Sequence, residues 1–361
     1  MGDAIYGIGL TSTAAMRDQP NPNWQRFFAE LPVTQHPLNG PTIYHANNGW
    51  SGSTYWRWNS RQGPLLMKVW PSDGPTHSDH IDRHRKLQYL SGFYPHLALP
   101  ISDQKGQTVR SWFGDLWAEL MPWLEGSPIL AKPSVEVICQ TFQAMARLHH
   151  QWRSHEAPVY GPSQAVLSRL EQLRNIRNKR ILEPDTRIWN LSDQAKPVIR
   201  DQFMEVCKLA KALTDRAILR IEPFEHQPVL QQTVLRDARP DHFLFTDQKL
   251  SGIIDFGAIG TDSVAVDLAR LTGDWFPGDK QSIELALMHY RYEYSVTFQE
   301  LDLIAPLALA GAILGGLAWV DLHFKKQRTA GRELEFQKAL THALNRLRAQ
   351  WQDYRSDLIH S

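Results

Sequence analysis

The sequence predicts an α+β protein of two lobes, a small β-rich one followed by a larger, mainly helical one. Three observations predict it. Short runs of Trp, Tyr and Val between turn residues fill 42–124. From Ser134 onward apolar residues recur at three- and four-residue spacing, starting with Val135, Ile138, Phe142, Met145 and His149. The chain has 361 residues, 42% of them apolar, enough for two domains each with a core.

The elements follow in order. Residues 1–41 form a proline-rich, irregular arm with one short helix around Asn23–Leu31. Residues 42–124 form the β-rich lobe, interrupted by a helical segment near Ser78–Ser91. The lobe ends where Met121-Pro122-Trp123-Leu124-Glu125-Gly126 joins a strand to a helix. Residues 125–361 form the helical lobe, and Ser134, just after Pro133, is a natural N-cap for its first helix. A second helix over Gln164–Arg180 carries Arg169, Arg174, Arg177, Lys179 and Arg180, either as a solvated face or as an attractor for an anionic substrate or partner. Ala195–Ile221 is a third helix with Pro197 near its start, and 282–350 is helical again.

Within that last stretch Leu303–Val320 is uncharged over about 18 residues, near the lower limit of a membrane span. It contains Pro306 and a small-xxx-small pair, Gly311 and Gly315. No second span or flanking basic loop accompanies it, so a buried helix of the second lobe is the expectation.

Net charge is +1, which gives no general attraction to nucleic acid or an anionic membrane. The two cysteines, Cys139 and Cys207, lie in helical patterns and are expected as thiols in a reducing compartment. The start, Met1-Gly2-Asp3-Ala4-Ile5-Tyr6, lacks both a basic region leading into an apolar run and the hydroxyl residue of a myristoylation signal. A cytoplasmic protein is expected.

The chemistry concentrates in Val234–Leu271. Phe243–Phe245 and Gly252–Ile254 flank Thr246-Asp247-Gln248-Lys249, a hairpin pattern. Antiparallel pairing sets position 242 across from about 254 or 255, which gathers Asp237, Asp241, His242 and Asp255 at one end. Proton-accepting and metal-competent groups so gathered suit phosphoryl transfer. Asp237 is the carboxylate expected to orient an acceptor hydroxyl and take its proton. Asp255, ending an apolar strand, is costly there unless exposed or holding a cation, and Mg²⁺ accepts such a ligand. An aspartate before a hairpin is otherwise a turn former.

In the first lobe Asn47-Asn48-Gly49-Trp50-Ser51-Gly52-Ser53-Thr54 is a turn whose N–H groups, around Gly49, Gly52 and Ser53, can cover phosphates. Lys68, within Leu65-Leu66-Met67-Lys68-Val69-Trp70, is either a snorkelling surface lysine or a charge for a nucleotide's phosphates. Leu116–Pro122 reads as a core strand or as a hinge where backbone groups near Glu119–Met121 meet an adenine edge.

Together these segments resemble the aminoglycoside phosphotransferase and choline kinase superfamily over roughly residues 40–325. The motifs are Leu235-Arg236-Asp237 through His242, Ile254-Asp255-Phe256-Gly257, the Asp262 to Asp267-Leu268-Ala269 segment, and the helix ending Ala144-Met145-Ala146-Arg147-Leu148-His149. The resemblance implies a bilobal protein-kinase-like fold and an ATP-dependent phosphotransferase acting on a small hydroxylated molecule. ATP would lie on Lys68, Gly49, Gly52, Ser53, Glu119 and Met121. Asp255 and His242 would hold Mg²⁺, with Mn²⁺ as the alternative, and Asp237 would be catalytic. Departures are Leu235 in place of the loop histidine and His242 in place of an asparagine that holds the second metal; imidazole suits transition metals better than Mg²⁺. No glutamate lies between Lys68 and Glu119, so Asp82, with Asp79 as the other choice, is expected to pair with Lys68.

The departures leave a second class open, a weakened kinase-fold pseudoenzyme that binds nucleotide or a partner. A third is a structural or membrane-associated protein built on Leu303–Val320. The acids Asp274, Asp279, Glu284, Glu293, Glu300 and Asp302 are either solvated helix faces or, as the resemblance implies, contacts for an amine-bearing acceptor.

Overall fold

A computed structural model describes residues 22–45, 52–92, 96–114, 116–178, 196–324 and 332–360. The chain divides into two compact units. One comprises the described residues of 1–46, 53–81 and 100–123, and the other those of 47–52, 82–99 and 124–361.

The first unit contains helix α1 (Pro22–Ala29) and strands β1 (Thr42–Tyr44), β2 (Thr54–Ser60) and β3 (Gly63–Val69). Helix α2 (His77–Gln88) begins in this unit and ends in the other. Strands β4 (Val109–Ser111) and β5 (Trp117–Pro122) complete an antiparallel sheet of order β1-β2-β3-β5-β4. Alternation of inward and outward residues puts Trp58, Leu65, Met67, Val69, Ala118 and Leu120 in its core. The arm's helix is part of that core. Trp24 stacks on Phe28 at 5.2 Å and meets Trp56 edge-on at 5.1 Å, and Phe27 is buried.

The second unit starts with β6 (Ser127–Pro128) and α3 (Val135–His155), whose N-cap Ser134 accepts a hydrogen bond from Val137 N at 3.3 Å, as expected from its position. β7 (Val159–Gly161), α4 (Gln164–Asn178), α5 (Lys196–Ile221) and β8 (Val229–Val234) follow. Then come β9 (Phe243–Thr246), β10 (Lys249–Ile253) and β11 (Gly260–Asp262). Two small antiparallel sheets result, β10-β9-β6 and β11-β8-β7. Four helices close the unit: α6 (Ala265–Trp275), α7 (Lys280–Glu293), α8 (Phe298–Phe324) and α9 (Glu333–His360).

The apolar stretch expected as a buried helix lies in α8, the one described helix long and apolar enough to cross a membrane. Leu303, Ile304, Leu307, Leu309, Ala310, Ala312 and Ile313 are buried in the helical core. A charged side chain runs beside its small-residue pair. The Arg346 guanidinium from α9 lies at ordinary contact, 3.7 Å and 3.6 Å, from where Cβ atoms of Gly311 and Gly315 would stand. It ends at Asp274 of α6, Nη1 to Oδ1, at 2.6 Å. Both cysteines are free and half-buried.

Candidate functional site

The hairpin turns on Asp247 and Gln248, with φ of 50° and 63°, the left-handed pair that a two-residue turn requires. Its strands are one residue longer on the first side and start earlier on the second than the apolar runs suggested, so the turn is tighter. Ile253 pairs with Phe243, and Ile254 N donates to His242 O at 2.9 Å, so 242 faces 254 as the hairpin geometry demands. A bulge lies between Leu250 and Gly252, and a Cβ on Gly252 would stand 3.0 Å from Leu124 Cδ1. At the hairpin's open end His242 is buried and its Nε2 lies 3.8 Å from Asp255 Oδ2.

Four described non-glycine residues have positive φ. Two make the turn; the others are Arg236 (63°) and Asp255 (58°). Such backbone costs on the order of 1–3 kcal/mol per residue and persists only where the surroundings enforce it. For Arg236 the enforcement is visible. Fully buried Asp267 accepts from Leu235 N at 2.6 Å and from Arg236 N at 2.7 Å. His149 Nε2 donates to the same carboxylate at 3.0 Å, and its Nδ1 lies 2.6 Å from Tyr290 Oη. A carboxylate only accepts, so Nε2 carries the proton and Nδ1 accepts from the tyrosine. Burial first, then Tyr294 and Asp267, hold the Tyr290 hydroxyl well above its usual range, which keeps it a donor. Leu235 is buried in the helical core, so the loop gets its support from apolar packing and from Asp267. Asp262 has a different task. It accepts from Ser163 Oγ at 2.6 Å and Ala165 N at 2.8 Å at the start of α4.

Asp237 itself is partly exposed, and Arg270 Nε lies 3.3 Å from its Oδ1. Arg270 also reaches Asp274 at 3.5 Å, while Asp241 is held by Arg239 through two bonds of 2.9 and 2.6 Å. Sequence reasoning passed over Arg239 and Arg270, because nothing in their spacing links them to Asp237. Several of the acids named above have structural partners. Asp274 pairs with Arg346, Asp279 caps α7 through Ser282 N and pairs with Lys132, and Glu293 pairs with Arg147. Buried Glu300 accepts from Thr297 N and Oγ1.

In the first unit Lys68 is buried on β3, directly opposite Glu119 on β5. Residues in register on neighbouring antiparallel strands share a face. Trp70 joins them: Lys68 Nζ lies 3.9 Å from its ring centroid, and Trp70 Nε1 donates to Glu119 Oε1 at 3.0 Å. Glu119 therefore brings a carboxylate side chain to the lysine's face, where the sequence suggested only backbone groups. Asp82 is an exposed residue of α2 that pairs with Arg85 at 3.1 Å. Asp79 accepts from Thr76 N and Oγ1 at the start of that helix. Met121 is half-buried opposite Leu66. Gly52 is exposed with φ of 80°, Ser53 is half-buried, and Gly49 lies outside the described residues.

The hairpin end can accept a cation. Donor–metal bonds of about 2.0–2.2 Å let two ligands of one ion stand up to roughly 4.3 Å apart. The 3.8 Å between His242 Nε2 and Asp255 Oδ2 falls within that reach. A carboxylate with an imidazole is a set that takes Mn²⁺ more readily than Mg²⁺. Asp241 is committed to Arg239 and does not join them.

A kinase-like phosphotransferase is the class these units define: a five-stranded sheet bearing a buried lysine opposite a glutamate, and a helical unit with a braced aspartate loop and an acid-tipped hairpin. The profile of the "Phosphotransferase enzyme family" matches residues 43–303, and the chain belongs to that family. Solved structures share the fold. A spectinomycin phosphotransferase in complex with ADP and spectinomycin is 11% identical, covering 86% of this chain and 92% of its own, with a TM-score of 0.62. An amicoumacin kinase in complex with AMP-PNP and Ca²⁺ is 13% identical, with coverage of 89% and 93% and a TM-score of 0.58. A microcompartment-associated aminopropanol kinase is 12% identical, with coverage of 90% and 94% and a TM-score of 0.56. No curated protein matches the sequence.

Proposed function

We propose that this small-molecule phosphotransferase uses ATP and a divalent cation to phosphorylate a hydroxyl of a small metabolite in the cytoplasm. The observation that carries the proposal is the hairpin's open end, where His242 and Asp255 stand 3.8 Å apart beside a loop fixed by Asp267. Asp237 orients the acceptor hydroxyl and takes its proton late in the transfer. Arg270, on Asp237 Oδ1, fixes which oxygen faces the acceptor. Lys68 neutralises nucleotide phosphates, with its face set by Glu119 and Trp70. Gly49, Gly52 and Ser53 cover the phosphates, and backbone near Met121 meets the adenine. Asp82 has no role here beyond its surface pair. Asp255 and His242 would hold the cation, whose chemistry is neutralisation of phosphate charge.

Asp237→Asn tests the assignment. Turnover should fall by about 10²–10⁴-fold with the nucleotide's thermal shift intact; unchanged turnover refutes it. Ligand chemistry, not spacing, favours a second reading, a nucleotide-binding pseudoenzyme: the group beside Asp255 is an imidazole, a poor partner for Mg²⁺. That reading expects ATP at roughly one hundred times Kd to stabilise the protein by about 2.7 kcal/mol while no acceptor is phosphorylated.

A further inference from the structure

We propose that the acceptor is an anion: Arg239 and Arg270 form an oxyanion site for a carboxylate or phosphate on the same molecule whose hydroxyl Asp237 orients. The inference rests on the kinase assignment of Asp237 and adds the substrate's charge. Arg270 touches Asp237 at 3.3 Å, so a hydroxyl reaching that carboxylate lies within reach of the guanidinium. The side chains of Arg270 and Arg239 are 24% and 28% exposed, so each offers a solvent-facing edge; Arg270 pairs with the proposed base, and the Arg239 charge is felt by it two residues along the same loop. A guanidinium has five donors in a planar fork suited to carboxylate and phosphate. Arg270 engages Asp237 and Asp274 through Nε and Nη1, and Arg239 engages Asp241 through Nε and Nη2.

Positive charge already stands on this carboxylate. Arg270 lies 3.3 Å from Asp237, and it also reaches Asp274, which Arg346 holds. Burial first, then Arg270, with Asp262 opposing and Arg346 and Arg236 adding, push the Arg169 guanidinium down to about 10. Buried Arg346 leaves its Nε with no hydrogen-bond partner. An ammonium brought to Asp237 meets the Arg270 guanidinium already on it, whereas an oxyanion gains that guanidinium as a donor. Four of the six acids that an amine could use, Asp274, Asp279, Glu293 and Glu300, are held by Arg346, Lys132, Arg147 and Thr297.

The test uses the full chain at low ionic strength. Inorganic phosphate, titrated without nucleotide, should raise the melting temperature. Arg239→Gln, which removes a charge, and Arg270→Lys, which keeps the charge but loses the fork, should each raise the half-saturating phosphate concentration about tenfold, the loss of one charge-assisted bond. Arg26→Gln, which removes an exposed arginine of α1, should leave phosphate binding unchanged, which separates the site from net charge. Ligand-free melting curves of the variants identify any that fail to fold, and the remaining one then decides. With labelled ATP, gluconate should accept phosphate better than glucosamine. Wild-type phosphate binding in folded Arg239→Gln or Arg270→Lys, equal weakening in Arg26→Gln, or preference for glucosamine overturns the proposal. Arginine-dependent phosphate binding with no ATP binding or consumption would uphold the anion site and overturn the kinase assignment instead.

Discussion

Asp267→Asn isolates the brace under the Asp237 loop, the proposed catalytic loop. The carboxylate is fully buried and accepts three hydrogen bonds: Leu235 N at 2.6 Å, Arg236 N at 2.7 Å and His149 Nε2 at 3.0 Å. Asparagine keeps the shape but replaces one oxygen with a donor, so at least one of the three N–H groups faces another N–H. A hydrogen bond to a charged group contributes about 1.5–3 kcal/mol, and a buried donor left unmade costs about 1–3 kcal/mol more. Loss of one bond, with the others weakened, sums to roughly 3–5 kcal/mol. At about 2–4 °C per kcal/mol for a domain of this size, the melting temperature should fall by roughly 6–20 °C in a circular dichroism melt. The same bond holds Arg236 at positive φ next to Asp237, so ATP turnover at a temperature where the variant is folded should fall at least about tenfold. Asp262→Asn is the control: it loosens the start of α4 and should lower stability without touching the loop. A melting point within 2 °C of wild type, at the roughly 1 kcal/mol level of an ordinary surface change, would refute the brace.

Three further outcomes follow from the geometry. Gly315→Ala places its methyl at ordinary contact, 3.6 Å from Arg346 Nη1, and gains up to about 1 kcal/mol of helix propensity, whereas Gly316→Ala meets Leu347 Cδ1 at 2.9 Å and should destabilise; urea unfolding of the pair should show opposite signs. Arg346→Met should cost about 3–5 kcal/mol by leaving Asp274 buried with a weakened partner set, measured by the same unfolding curves. His323 is buried and stacks on Phe336 at 5.3 Å, and burial, opposed by Glu333, holds its imidazole below the usual range. Its contribution is therefore present above about pH 6.5 and lost as pH falls through that value toward the depressed one, so His323→Phe should flatten the melting-temperature profile between about pH 7 and 5.

Much of this was legible in the sequence where local rules act. The hairpin, its facing positions and the Ser134 cap follow from strand periodicity, turn residues and capping chemistry, all of which operate over a few residues. Lys68 was recognisable as an oddity in an apolar strand, but its opposite number, Glu119, depends on the register between β3 and β5, which no local pattern sets. The arginines near Asp237 come from its own loop and from α6, and the side chain beside Gly311 and Gly315 from α9. Such long-range ion pairs leave no periodic trace. The glycine pair suggested close helix packing, and what approaches it is a charged side chain.

Asp274 is shared. Arg346 grips it from the C-terminal helix, and Arg270 divides itself between it and Asp237. Whatever draws Arg346 away leaves that acid pulling harder on Arg270, and the aspartate proposed as the base then loses its guanidinium. Helix α9 thereby sets the electrical tension on the proposed base from a distance, so substitutions at Arg346 deserve an activity assay as well as a melting curve.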